Sequence, residues 1–509
     1  MKFLRKNWLV IILLIIAGFL RFYKLAEWYF FNIDEDWFSF IVRKIIVYKK
    51  PVLIGWEIPG GLYTSPVMYY FGALLMFLFK NNPLGMAINA SFWGIIGVYF
   101  IYKVGKKLFR SEAMAIYSTT IYTFSYLVNI YNRLTLTIWL SPILALLTYL
   151  SLKKLIEEGK KKWLIILSSV FVFATQEGSL ISMIILSLVS FVVFRKKIRI
   201  KDWIIPVLVL LLSFLPLFIF DLRHSFLLSK KTVNFFSLNK GHPINLFSII
   251  SYFKLMFTAL TRMLIPTGPN DLNIQILPCK NYLEIIRNHT PLIYSLFGLF
   301  ITLLFVFYSL KKNLWGGKLI SLHLLIVSFG LIFYSLINPG HLYEWFFVVL
   351  FPAFCFISAY FFDFVGRTKF GKTGVVFFLI LFLFINLKYI LTGTAAVGYQ
   401  DKIGAVRYAA YVVRDKEFSL EMLGNGCNGY GYRYLFTYLN KEPAKSYMDY
   451  QYEGWLYPKK QEKDTSIKVI LVPIVDLDTR ELQRKYEELK VNSTQSEKFG
   501  NLEVLIIES

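Results

Sequence analysis

Asp34-Glu35-Asp36 is the longest acidic run in a 509-residue chain that sets 56 Lys and Arg against 32 Asp and Glu, a formal net charge of +24. It follows closely on the first apolar stretch. Carboxylates beside a bilayer can hold a metal ion or take the proton from an attacking hydroxyl. The same residues can equally form a solvated acidic turn. Which of these applies depends on the elements that place them.

Hydrophobic residues make up 56% of the chain and aromatics 18%, with a mean hydropathy of +0.53. Charged residues are 17%, against roughly 25% in soluble domains. Apolar runs of roughly 17–22 residues recur along the first three-quarters, each long enough to cross a hydrocarbon core. The chain is therefore expected to be an α-helical polytopic membrane protein. Its surplus of Lys and Arg does not point to nucleic acid, because the basic residues lie in short clusters between apolar runs, as in cytoplasmic loops. Lys2, Arg5 and Lys6 precede the first run as in a signal peptide, but no small-residue cleavage site follows, so an uncleaved first helix is expected. The three cysteines form no framework; Cys355 lies in a span, and Cys279 and Cys427 are not expected to pair.

Eleven spans fit the pattern: 8–22, 85–102, 113–130, 138–152, 163–176, 178–194, 203–220, 290–310, 318–337, 343–365 and 373–391. With a cytoplasmic N-terminus, the clusters around Lys106, Lys160, Lys201, Lys311 and Lys369 all fall inside. Counting the short run 66–79 as a crossing would invert every later loop. It reads instead as a juxtamembrane helix, and 244–265 as a second interfacial one. The expected layout is a transmembrane domain over 1–391 with large outer loops at 21–84 and 221–289, then an extracytoplasmic α/β domain over 392–509. That domain has strands near 419–423, 468–473 and 502–508 and a helix near 479–489. Localisation is expected to be the cell membrane, multi-pass.

The segment LRFYKLAEWYFFNIDEDWFSFIVRKI, followed by GWEIPGGLYTSPVMYYFGALL, resembles the dolichyl-phosphate-mannose–protein mannosyltransferases and their bacterial relatives, including the lipid A aminoarabinose transferases. These are C-type (GT-C) glycosyltransferases. In that family an Asp-Glu pair follows the first helix, and a proline with an aromatic pair opens a juxtamembrane helix. Asp34-Glu35, and Pro66 with Tyr69-Tyr70, stand in those places. Arg133, in NIYNRLTLTIWLSPILALLTYL, matches a recurrent arginine of the second outer loop. HLYEWFFVVLFPAFCFISAY resembles a late span with a mid-helix proline. The resemblance covers roughly the first 390 residues, in order. One departure stands out: many relatives carry a second acid about five positions after the arginine, where this chain has Leu134-Thr135-Leu136-Thr137-Ile138. A divalent metal ion is thus left without an assigned ligand set.

The resemblance implies transfer of a sugar from a polyprenyl-phosphate carrier to a hydroxyl of a glycan, lipid or protein on the outer face, with inversion. A hydroxyl needs a base as its bond forms, and the leaving phosphate needs cations or fixed donors. Asp34 is the expected base, Glu35 its positioner or second acid, and Asp36 a solvated bystander. Arg133, Arg223, His224, His341 and Tyr343 are candidates for the donor phosphate, each set against a plain headgroup-anchoring role. Tyr69 and Glu177 are further candidates; Gln176-Glu177 can also be a short outer turn. Gly424-x-Gly426-x-x-Gly429 fits a dinucleotide fingerprint literally but lacks a surrounding βαβ unit and reads as a loop. Sequons at Asn288 and Asn492 carry no weight alone. A transporter or flippase, or an oligosaccharide ligase or polymerase, is the alternative. The spans carry few charges and no matching halves, which favours chemistry at the interface.

Overall fold

The computed structural model describes residues 2–58, 62–135, 137–175, 179–194, 199–238, 246–266, 291–337, 344–424, 429–449 and 465–508. The first part of the chain is helical: α1 (Lys2–Phe22), α2 (Leu25–Trp28), α3 (Ile33–Ile46), a hairpin of β1 (Glu57–Ile58) and β2 (Leu62–Tyr63), α4 (Val67–Leu78), α5 (Leu84–Phe109), α6 (Glu112–Phe124) and α7 (Tyr126–Tyr131). It continues through α8 (Ser141–Glu158), α9 (Lys162–Ala174), α10 (Leu180–Val193), α11 (Ile204–Arg223), α12 (Leu227–Leu238) and α13 (Leu246–Arg262). Then come α14 (Leu292–Lys311), α15 (Trp315–Ile337), α16 (Phe351–Val365) and α17 (Lys369–Thr392).

Where they are described, all eleven apolar runs fall on helices, since a backbone in lipid must satisfy its own hydrogen bonds. Among the described residues, six stretches are long and apolar enough to cross a membrane: 84–109, 201–223, 292–311, 315–334, 344–365 and 369–392. Shorter apolar helices cover 8–22, 67–78, 162–174 and 180–193. Two expectations are refined. The run 113–130 is broken at Ser125, whose hydroxyl accepts from the Val128 amide and starts α7. The run 343–365 opens with a 3₁₀ turn over 344–350, so Pro352 lies in the first turn of α16 rather than mid-helix, where its missing N–H costs nothing.

Small residues let the helices approach. A Cβ on Gly94 of α5 would lie 2.6 Å from Asn132 Oδ1, so only glycine admits the loop after α7 at that point. The run 66–79 forms α4, whose buried residues Met68, Tyr69 and Gly72 pack on α3.

The tail holds α18 (Tyr399–Val413), β3 (Phe418–Met422), α19 (Arg433–Tyr438), β4 (Lys445–Ser446), β5 (Ile467–Pro473), α20 (Arg480–Val491), β6 (Gln495–Phe499) and β7 (Leu502–Glu508). The sheet order is β4-β3-β5-β7-β6, parallel on the β3 side and antiparallel from β5 to β6. Alternation divides the strands as a pleat requires. Val469, Leu471, Val504 and Ile506 join the main core with α18, while Ile470, Val472 and Leu505 form a second core with Leu482, Tyr486 and Leu489 of α20.

Candidate active site

The triplet occupies the first turn of α3. Asn32 caps that turn: its side chain accepts from the Ile33 amide, and Glu35 Oε2 accepts from the Asn32 amide at 3.0 Å, closing a capping box. Glu35 Oε1 accepts from the Thr135 hydroxyl at 3.1 Å, and Thr135 Oγ1 is also 3.1 Å from Tyr29 Oη. Thr135, two positions after Arg133, thus supplies a hydroxyl that holds Glu35.

Asp36 corrects the sequence reading. It is wholly buried, and its Oδ1 accepts from the Tyr434 amide of α19 at 2.8 Å. A carboxylate can be buried at that cost only when a donor meets it, and the donor comes from 398 positions away. Nothing local could have signalled it.

Asp34 is half-buried, and among the described residues no donor reaches its carboxylate. Burial pushes its pKa up to about 6. Glu35 is pushed up to about 7, first by burial and then by the neighbouring Asp34, against the pull of its hydrogen bonds. Tyr69 of α4 is buried against Phe38, ring centroids 5.0 Å apart. Its phenol is held above the ordinary range by burial, then by Asp34 and Tyr63. Asp34, Glu35 and Tyr69 thus form one electrostatic group.

Arg133 has a use other than phosphate binding. It is 2% exposed and donates to the carbonyls of Leu20 and Arg21, with its guanidinium 4.8 Å from the Trp28 ring centroid. It serves the last carbonyls of α1, which have no partner within the helix. Arg21 works beside it, donating to Asn132 Oδ1 at 3.0 Å and the Tyr122 carbonyl at 3.2 Å. Arg223 and His224 do lie exposed at the end of α11, the His224 ring stacked on Phe220. The helix that follows them, α12, rests on β2, with Lys231 Nζ 5.4 Å from the Tyr63 ring centroid. His341, Tyr343, Gln176 and Glu177 lie outside the described residues, as do Cys279, Cys427, Gly426 and Asn288.

Two further buried cations went unread in the sequence. Arg262 Nη1 meets Glu344 Oε1 at 2.7 Å, with 4% and 0% of their side chains exposed. A carboxylate opening an otherwise apolar span was the available signal, because such a group needs a partner. Lys402 of α18 is the other, and nothing in its local sequence marks it. Among the described residues no three His, Cys, Asp or Glu side chains gather as a metal site. Glu35 is engaged by Asn32 and Thr135, and Asp36 by Tyr434.

The helical bundle with its docked α/β tail has the fold of the C-type (GT-C) glycosyltransferases. Residues 63–220 match the family model described as dolichyl-phosphate-mannose-protein mannosyltransferase. The structure is similar to ArnT from Cupriavidus metallidurans in the apo state, at a TM-score of 0.59 and 10% identity, covering 99% of this chain and 98% of that one. The same protein bound to undecaprenyl phosphate matches at 0.56 and 11%, with the same coverage. The oligosaccharyltransferase of Archaeoglobus fulgidus in complex with zinc and sulfate matches at 0.51 and 12%, over 95% of this chain and 69% of that one. No curated protein matches the sequence. The GT-C resemblance read from Asp34-Glu35 and the segments around it is borne out, and the chain is a multi-pass membrane protein.

Proposed function

We propose that this protein is a membrane glycosyltransferase that moves a sugar from a polyprenyl-phosphate donor to an acceptor hydroxyl at the outer face, with inversion. The family-model match and the fold support the reaction class. The match to a structure bound to undecaprenyl phosphate supports the carrier. The observation that carries the reading is Asp34, a half-buried carboxylate without a donor among the described residues, fixed on the first turn of a capped helix.

Asp34 takes the acceptor proton as the acceptor oxygen bonds to the anomeric carbon. The bond from that carbon to the phosphate oxygen breaks with its electron pair, and polyprenyl phosphate leaves. A base with a pKa of about 6 is mostly ionised at neutral pH yet still close enough to it to accept a proton readily. Glu35 keeps the turn in place through Asn32 and Thr135. Arg223 and His224 are the exposed donors offered to the leaving phosphate. The acceptor is a glycan, lipid or protein. The N-terminus faces the cytoplasm and the tail lies outside.

Asp34→Asn, purified in the same detergent as the parent, is expected to lose about 10²–10⁴-fold in transfer rate while eluting identically. Mass spectrometry of the copurifying lipid identifies carrier and sugar together. Near-normal turnover by Asp34→Asn would remove the assignment.

A further inference from the structure

The tail does more than sit beside the bundle; it grips the segment that carries the carboxylates. Lys402 is completely buried in α18, where its Nζ donates to the Phe31 carbonyl and, at 2.7 Å, to the Tyr430 carbonyl. The same ammonium lies 5.1 Å from the Phe30 ring centroid and 5.0 Å from that of Tyr432. One cation thus joins the residues just before α3 to the tail segment before α19. Gly431 closes the joint. Its φ is +90°, and a Cβ there would lie 2.3 Å from the Phe31 carbonyl oxygen. Beyond Asp34, the Tyr434 amide holds Asp36. Tyr399 adds a backbone bond to the Tyr29 carbonyl at 2.8 Å.

Asp34 is therefore bracketed, with Phe31 anchored on one side and Asp36 on the other, both to the tail. We propose that Lys402 is a positioning residue for Asp34, and that the tail acts as a frame fixing the first turn of α3 against the membrane domain. The inference rests on the catalytic reading of Asp34, but the joint itself can be measured apart from it. A buried ammonium is costly to dehydrate and keeps its place only through its acceptors and rings. The groups facing Lys402 are Glu35 and Asp36 from α3, Asp401 from α18 and Asp476 from the turn after β5. Burial nevertheless draws its pKa down to about 7, against the upward pull of these four acids.

The test uses the full chain in detergent, with Lys402→Met, Lys402→Arg and Gly431→Ala. Hydrogen exchange reads the joint. Lys402→Met is expected to speed exchange of the peptide over 30–40 at least tenfold while peptides from α5 and α6 stay unchanged. Gly431→Ala, which leaves every charge in place, is expected to do the same by pushing on the Phe31 carbonyl. Binding of undecaprenyl phosphate is expected to stay within about twofold. Polyprenyl phosphate release from the copurified donor is expected to fall about tenfold in kcat with KM little changed, and Lys402→Arg to recover most of both losses. Unchanged exchange over 30–40 in Lys402→Met and Gly431→Ala overturns the proposal, as does loss of turnover without any loosening of that peptide. If exchange rises as expected while Asp34→Asn remains active, the frame stands and the catalytic reading fails.

Discussion

Among the three acids, partners decide roles. Glu35 and Asp36 each hold fixed donors, and among the described residues none reaches Asp34. Only a carboxylate without such donors is ready to accept a proton from substrate. Its raised pKa has two consequences of defined sign. Activity requires the ionised form, so the acid limb of the transfer rate is expected near pH 6; a limb near pH 4 would mean that Asp34 is not the titrating base. For stability the direction is opposite. A carboxylate whose folded pKa lies above its unfolded value favours folding while protonated, and that contribution is lost as pH rises through about 6. Asp34→Asn is therefore expected to stabilise the protein at pH 8, by about 1–3 kcal/mol, and to change little at pH 4. Thermal unfolding at the two pH values checks this, and equal shifts at both would contradict it.

At the scale of elements, most of the architecture was legible because the membrane leaves few options. A long apolar run can only be a helix there, and three of the five tail strands alternated clearly enough to be placed within a residue or two, while β4 and β6 went unread. What was hidden depended on distant partners: the burial of Asp36 by Tyr434, the use of Arg133 on the end of α1, and the ion pair of Arg262. The candidate site was thus legible in Asp34-Glu35 and Tyr69, but not in what holds them. α4 shows how length decides a reading. Its 12 residues rise about 18 Å, short of a hydrocarbon core of about 30 Å, and it packs along α3, which favours an interfacial place. In the topology proposed here, with α4 at the interface, the end of α5 would face the cytoplasm. A cysteine replacing Lys106 is then expected to resist an impermeant thiol reagent in intact cells and to react after permeabilisation. Labelling in intact cells would make α4 a crossing and invert every later loop.

At the scale of the whole molecule, parts far apart in sequence are joined by buried cations. Arg133 ties the loop after α7 to the end of α1, Lys402 ties the tail to the first loop, and Arg262 ties α13 to the turn that opens α16. Each is almost fully enclosed, so each has a high cost if its partner is lost and a low tolerance for shifted docking. The Arg262–Glu344 pair separates this structural role from catalysis. Tyr131 also donates to Glu344, at 3.4 Å, so the carboxylate joins three elements. Arg262→Met leaves a buried carboxylate without its cation and is expected to destabilise by about 3–5 kcal/mol. Pairing it with Glu344→Leu removes both charges and is expected to recover most of that loss, because the dominant cost is the stranded charge rather than the missing attraction. Thermal unfolding of the two single variants and the double variant gives the coupling directly. A double variant no more stable than Arg262→Met would show that the pair does not join α13 to the bundle, and that Glu344 meets its needs elsewhere.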